Sequence, residues 1–138
     1  MRYKNHLSFM ALIALLPVSA HAWEHDFTRG LDLYSTTSNG ATIRLVCDPN
    51  RVYGGTESMI LIALGGESDL NSDTTFSFDD GPTISAPMVH GRLSKRDLDT
   101  TLWQPLLGAL RNAERVHLTV NGDTRTVDLG KSVAFTCV

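Results

Sequence analysis

Apolar residues recur at every second position in several short segments of this chain, and this period is the feature that most constrains its fold. In segment 41–47, Ile43, Leu45 and Cys47 project to one side and the residues between them to the other, as in a strand with one buried face. Segment 58–64 is almost continuously apolar, which is typical of a strand covered on both faces. The pattern predicts a mainly β protein.

Turn residues separate these segments and pair some of them into hairpins. Asn39-Gly40 and Asn121-Gly122 can supply the positive backbone angles of tight hairpin turns, and stretch 79–82 is a further turn signal. The predicted strands cover residues 30–36, 41–47, 58–64, 74–78, 83–86, 88–93, 115–120, 124–129 and 132–137.

A helix is predicted between these strands, at about residues 101–113. Asp99 or Thr100 is its candidate N-cap, and Pro105 is expected in its first turn. The apolar residues at helical spacing are Leu106, Leu110 and Ala113. Because an open sheet face needs a cover, we expect the helix to pack on the sheet. The fold predicted is a small antiparallel β-sandwich or barrel with one short helix.

The first 22 residues have the three-part order of a cleavable export signal. A basic start is followed by an apolar run from Leu7 to Leu16 and by a small-residue ending at Ala22. The run is too short to cross a bilayer as a helix, which takes about 20 apolar residues. We expect cleavage after Ala22, with Ala20 as the competing site. Residues 23–138 then form a single periplasmic or secreted domain without a membrane anchor.

Cys47 and Cys137 are the two cysteines of the chain. An even count in an exported protein points to a disulfide bond. Both residues fall on the inward side of a predicted strand, so their sulfurs can meet inside the core. A buried pair of free thiols or a metal site is the alternative, although a metal would need further ligands at close spacing. One Cys47–Cys137 disulfide is predicted.

The charge balance argues against a nucleic-acid partner. Loss of residues 1–22 removes Arg2 and Lys4, which leaves 10 Lys and Arg against 15 Asp and Glu and a net charge of −5. Nucleic-acid affinity depends largely on clustered Lys and Arg that neutralise phosphates. The remaining basic residues are scattered, and we interpret them as solvated surface charges.

The new N-terminus is a candidate copper site. Cleavage after Ala22 places His25 third in the mature chain, where the amine of Trp23, two amide nitrogens and the imidazole can form a square-planar Cu(II) site. Cleavage after Ala20 instead makes His21 the first residue, and His25 or another histidine would have to complete the site. The competing interpretation is a flexible terminus whose Trp23 packs down on the domain and whose histidine is solvated.

Segment 69–80 is acidic and partly resembles a calcium-binding loop. Oxygen-bearing side chains stand at its first, third, fifth and twelfth positions, namely Asp69, Asn71, Asp73 and Asp80. Thr74 replaces the glycine that the sharp bend of such a loop requires. An acidic hairpin loop is therefore the favoured interpretation, and Asp69, Asn71, Asp73, Asp79 and Asp80 are candidate binding residues in the polar loops 65–73 and 79–82. Loop 48–56 is a third candidate contact loop.

Catalytic motifs are not evident. No nucleophile-elbow pattern or glycine-rich phosphate loop occurs, and sequence does not bring His90 or His117 to a convergent set of groups. We expect a protein that is not an enzyme and that needs no cofactor, apart from the Cu(II) alternative. A hydrolase whose site is built from His90 or His117 and acidic residues is a further alternative, and it requires these side chains to converge in a pocket.

A sparse pattern spans most of the mature chain: Trp23 near its start, Cys47 at the end of a strand, Trp103 before a short helix, and Cys137 near the terminus. In this arrangement the chain resembles the small exported bacterial proteins of the invasion-associated locus B type and a periplasmic family associated with type VI secretion. The resemblance implies a β-rich accessory or binding protein of the cell envelope.

These observations together favour a non-catalytic exported domain that binds another protein or an envelope component. A rigid, disulfide-tied sandwich can present loops that vary independently of its core. A periplasmic Cu(II)-binding protein and an inhibitor of a host or competitor enzyme are the alternatives.

Overall fold

The computed structural model describes residues 23–54 and 57–137, so the predicted export signal and His21 lie outside the described residues. The elements, in chain order, are β1 (Glu24–Thr28), β2 (Leu31–Ser38), β3 (Ala41–Cys47), β4 (Met59–Leu64), β5 (Asp73–Phe78), β6 (Thr83–Pro87), β7 (Arg92–Ser94), α1 (Thr100–Asn112), β8 (Arg115–Val120) and β9 (Asp123–Asp128).

These strands form two antiparallel sheets. The first sheet has five strands in the order β1-β2-β3-β4-β7, and the second has four in the order β6-β5-β8-β9. Helix α1 joins β7 of the first sheet to β8 of the second. The predicted antiparallel sandwich with one helix is therefore confirmed, and the described strands do not close into a barrel.

The two-residue period builds the core between the sheets. On β3, Ala41, Ile43, Leu45 and Cys47 are buried and alternate with residues that face outward. The second sheet contributes its own inward residues, of which Phe76 is fully buried. Along β4, however, only every second residue is buried, and the apolar residues between them are half-buried. The prediction that this segment is covered on both faces is wrong, because its outward residues Met59, Leu61 and Ala63 remain partly exposed.

The turn between β2 and β3 ties one side of the first sheet to β9 of the second. The side-chain amide of Asn39 donates to the carbonyl of Thr126 at 2.7 Å, and the hydroxyl of Ser38 accepts from the backbone N–H of Asp128 at 2.8 Å. Arg125 donates to the carbonyl of Asn39 at 3.1 Å. These bonds occupy backbone groups that an edge strand otherwise leaves open.

Asp99, one of the two predicted N-cap residues, caps helix α1, which begins at Thr100. The carboxylate of Asp99 accepts from the backbone N–H of Thr101 at 2.8 Å, which satisfies one of the free N–H groups of the first turn. The expectation for Pro105 is wrong, because this residue lies inside the helix and not in its first turn. The buried residues of the helix, which join the common core, are Trp103, Leu106, Leu107 and Leu110. No described helix is long and apolar enough to span a membrane.

The two ends of the described domain depart from the sequence predictions. Residues 24–28, interpreted as a flexible terminus, form β1 and pair with β2. Residues 132–137, predicted as the last strand, are not in a sheet, and the backbone N–H of Phe135 bonds to the carbonyl of Val133 at 3.1 Å. Of the predicted strand 88–93, Arg92 and Leu93 pair with β4 as part of β7, and Val89 forms an isolated bridge with Arg92. In each case the available neighbouring strand, and not the local alternation, decided the outcome.

The Cys47–Cys137 disulfide is confirmed. The two residues are 90 positions apart in sequence and their Cα atoms lie 4.5 Å apart. Cys47 is fully buried at the end of β3 and Cys137 is also buried. The bond therefore fastens the C-terminal segment to the end of β3, the middle strand of the first sheet.

Candidate binding surfaces

Every histidine in the described residues contacts an aspartate. The pairs are His25 Nε2 with Asp32 Oδ1 at 2.7 Å, His90 Nδ1 with Asp69 Oδ1 at 2.6 Å, and His117 Nε2 with Asp79 Oδ1 at 2.9 Å. The three pairs lie on different parts of the fold: the edge strand β1, the turn before β7, and the outer face of β8. In the described ranges, no three His, Cys, Asp or Glu residues come together in a way that could hold a metal ion.

The His25 pair holds the C-terminal segment. Asp32 is buried on β2, and its second oxygen accepts a hydrogen bond of 2.5 Å from the hydroxyl of Thr136. This hydrogen bond holds the pKa of Asp32 below its ordinary range, His25 lowers it further, and burial of the carboxyl group opposes both effects. The imidazole also stacks on Tyr34, with ring centres 4.6 Å apart. His25 is thus a structural contact between β1 and the core.

The strand geometry of β1 differs from the proposed copper geometry. A square-planar site at the mature terminus needs consecutive amide nitrogens to face the same ion, whereas the N–H groups of successive residues in a strand point to opposite sides. Trp23 packs edge-on against Phe135 at 5.0 Å, and His25 already contacts Asp32. Copper binding would therefore require the start of β1 to leave the sheet.

His117 belongs to a polar network on the outer face of the second sheet. Its Nδ1 lies 2.9 Å from the hydroxyl of Thr126, while its Nε2 contacts Asp79. Asp79 also accepts from Arg115 at 3.2 Å, and its pKa is lowered, chiefly by the His117 hydrogen bond. An aspartate, an imidazole and a hydroxyl in this order resemble a nucleophile relay. Here the hydroxyl of Thr126 lies on an open sheet face, and the carboxylate of Asp79 also accepts a hydrogen bond from Arg115.

The acidic segment 69–80 does not form one loop. Asp73 begins β5, so the six residues of that strand separate Asp69 and Asn71 from Asp79 and Asp80 by about 20 Å. This distance excludes the calcium-loop alternative. Asp80 occupies a turn position with a φ of 55°, and the candidate binding residues therefore belong to two separate ends of the second sheet.

Asp69 and Asn71 have a different role, which is to position His90. The imidazole ring of His90 contacts Asp69, and its backbone N–H donates to the side-chain oxygen of Asn71 at 2.9 Å. The next residue, Gly91, has a φ of 70°, and a Cβ atom there would lie 2.4 Å from the carbonyl oxygen of Ser68 and 2.8 Å from that of Ile62. Only glycine allows this approach, which clamps the turn 89–92 against β4.

The clamped turn forms one wall of a cleft on the outer face of the first sheet. We call this site the outer cleft, and its volume is about 430 Å³. The residues that matter for its chemistry are Thr42, Arg44, Leu61, Ala63, His90 and Arg92.

A second surface, the loop tip, lies at the end of the first sheet near Cys47. Asp48 follows Cys47 directly, and its buried carboxylate accepts from the backbone N–H groups of Val52 and Tyr53, each at 2.8 Å. Val52 packs against the β1–β2 turn, since a Cβ atom at Gly30 would lie 2.9 Å from it. The disulfide and the Asp48 hydrogen bonds therefore give residues 48–54 a defined shape.

The loop tip exposes large apolar side chains beside free cations. The exposed fractions are 59% for Phe27, 57% for Val52 and 51% for Tyr53. Arginine–carboxylate pairs in the described chain use Arg96, Arg115 and Arg125, so Arg29 and Arg51 have no carboxylate partner there. The loop tip consists of Phe27, Arg29, Arg51, Val52 and Tyr53.

The sequence analysis selected loop 48–56 but missed Arg44, Arg92 and Phe27. An arginine at position 44 inside an alternating strand was visible as an outward residue. Its relation to Arg92 depends on the pairing of β3, β4 and β7, which no local pattern gives. No protein-family model, curated protein or solved structure matches the chain.

Proposed function

We propose that this chain is an exported, non-catalytic accessory domain that binds the acidic surface of another protein through the loop tip. The observation that carries the proposal is that three of the highly exposed apolar side chains, Phe27, Val52 and Tyr53, belong to the two loops and strand ends at the same end of the first sheet. Soluble proteins seldom expose such groups together unless they form an interaction site. The resemblance to envelope accessory proteins and the predicted export signal agree with this function.

The composition and rigidity of the loop tip support it as an interface. Tyrosine and arginine are enriched among the residues that contribute most to protein–protein affinity. Because the Asp48 carboxylate already holds the backbone of Val52 and Tyr53, less conformational entropy is lost when a partner binds. The loop therefore presents its side chains in a preformed arrangement.

Charge identifies the kind of partner. The full chain carries a net charge of −3, yet the loop tip carries two arginines without a carboxylate partner in the described residues. Arg29 and Arg51 flank the contact between the β1–β2 turn and Val52. A complementary surface would bring carboxylates to these guanidinium groups, which steers association and adds charge-assisted hydrogen bonds.

Site-specific photo-crosslinking in the native host cells tests this proposal. A photo-reactive residue at Tyr53 should yield one discrete adduct, whereas the same residue at Thr119, on the outer face of the second sheet, should not. Arg51→Glu should abolish the adduct and lower the affinity for the purified partner by at least tenfold, which is about 1.4 kcal/mol. The matched change Lys131→Glu, at an exposed cation elsewhere, should have no effect. Equal crosslinking from both positions, or an adduct that Arg51→Glu leaves intact, would refute the proposal.

A further inference from the structure

The outer cleft carries chemistry that the loop tip does not use. On the outer face of the first sheet, Arg44 on β3 pairs in register with Leu61 on β4, and Leu61 pairs with Arg92 on β7. The three residues thus form one cross-strand row, with an apolar side chain between two cations. Neighbouring strands are about 4.8 Å apart, so the Cα atoms of the two arginines are separated by about 10 Å.

Both arginines are available to a ligand. Each is exposed, and the arginine–carboxylate pairs of the described chain involve other residues. Of the acidic side chains near the cleft, Asp69 contacts His90, and Glu24 stands in the same cross-strand row on β1, two strands from Arg44 on the side away from Arg92. Two cations on the same face, neither of which forms an ion pair with a described carboxylate, favour an anionic ligand in a chain with net negative charge.

We infer that the outer cleft binds a small organic dianion, with one carboxylate on Arg44, one on Arg92, and a short apolar chain across Leu61 and Ala63. A guanidinium group forms two parallel hydrogen bonds with a carboxylate, so two separated arginines fit two separated carboxylates better than one compact anion. The volume of about 430 Å³ lies within the ordinary range for small-molecule sites, about 300–1,000 Å³. A protein partner would need far more contact area.

The walls of the cleft are held in place before a ligand arrives. The carbonyl of Gly91 accepts from the N–H of Ile62 at 2.8 Å, and the N–H of Gly91 donates to the carbonyl of Leu70 at 2.8 Å. These bonds fix the turn that carries His90 and leads into Arg92. The hydroxyl of Thr42 on the facing strand is a further group that lines the cleft.

Calorimetric titration of the disulfide-bonded exported protein with succinate, glutarate and adipate tests the inference, with propionate and inorganic phosphate as comparison anions. We expect a dicarboxylate to bind at least tenfold more tightly than propionate or phosphate. Arg44→Gln and Arg92→Gln should each weaken that binding by about tenfold, as expected for the loss of a charge-assisted pair. Unchanged thermal unfolding would show that each variant still folds.

The variant Arg51→Gln separates this inference from the proposed protein-binding function. It removes a cation from the loop tip and should leave dicarboxylate binding unchanged, whereas Arg44→Gln should leave crosslinking through Tyr53 unchanged. Phosphate or propionate binding as tight as that of the dicarboxylates would overturn the inference. It would also fail if no dicarboxylate binds, or if neither Arg44→Gln nor Arg92→Gln weakens binding.

Discussion

Removal of the disulfide is the perturbation whose effect can be worked out most directly. The bond closes a loop of 90 residues, which restricts the unfolded chain strongly. On the chain-entropy relation, a loop of this length corresponds to about 4.6 kcal/mol of stability at 25 °C. Small domains have a total stability of about 5–15 kcal/mol. The bond therefore supplies a large share of the free energy of unfolding.

The structure adds a reason to expect the full effect. Residues 132–137 are not in a sheet. Besides the disulfide they are held by individual side-chain contacts: Thr136 with Asp32, Ser132 with Asn112, the Phe135 ring with Trp23 and Tyr34, and Arg111 with the ring and carbonyl of Phe135. These contacts depend on where residues 132–137 lie, and the disulfide at Cys137 fixes that position. Without the disulfide we expect residues 132–137, the C-terminal tail, to detach, so that Trp23, which directly precedes β1, loses its contact with the Phe135 ring.

Urea denaturation of the oxidised protein and of the double variant Cys47→Ala/Cys137→Ala measures the effect. We expect the variant to lose about 4–5 kcal/mol, with a decrease of roughly 15–20 °C in Tm for a domain of this size. Thr136→Val, which removes one tail contact but keeps the bond, should cost only about 1 kcal/mol. A loss below about 1.5 kcal/mol in the double variant would refute the reasoning, since it would mean that the unfolded chain is already compact or that the tail is held independently of the bond.

Three further changes test individual contacts. Asp48→Ala should destabilise the domain by about 1–3 kcal/mol, because it leaves two backbone N–H groups without their acceptor. Amide hydrogen exchange should accelerate most at Val52 and Tyr53. Unchanged exchange at these two residues would contradict the role of Asp48 as their acceptor. Gly91→Ala should cost about 2 kcal/mol or more, because its positive φ and the adjacent carbonyl oxygens exclude a Cβ atom, and a Tm equal to that of the wild type would show that the turn can move. Asp32 has a lowered pKa, so its contribution to the free energy of unfolding is present above the unfolded pKa of about 3.9 and is lost as the pH falls through the folded value. Asp32→Asn should therefore lose stability less steeply than the wild type below about pH 4, as measured by urea midpoints. An identical acid profile in the two proteins would be inconsistent with this role.

The residues that the sequence already placed are those whose environment depends on local spacing. Alternation along 41–47 identified the buried face of β3, and Asn121-Gly122 located the hairpin between β8 and β9. The N-cap at Asp99 and the pairing of two cysteines also follow from local rules or from a count. Side-chain direction in a strand has a period of two, so these features need no knowledge of distant neighbours.

The binding surfaces needed the tertiary structure. Arg44 and Arg92 lie 48 positions apart in sequence, and they share a row only because β7 returns to pair with β4. Likewise, Phe27 and Tyr53 come to the same end of the sheet because β1 pairs with β2 and β2 pairs with β3. The sequence by itself determined which residues face inward and where the chain turns. Strand order decided which outward residues become neighbours, because it is set by the burial of the whole core and not by any single segment.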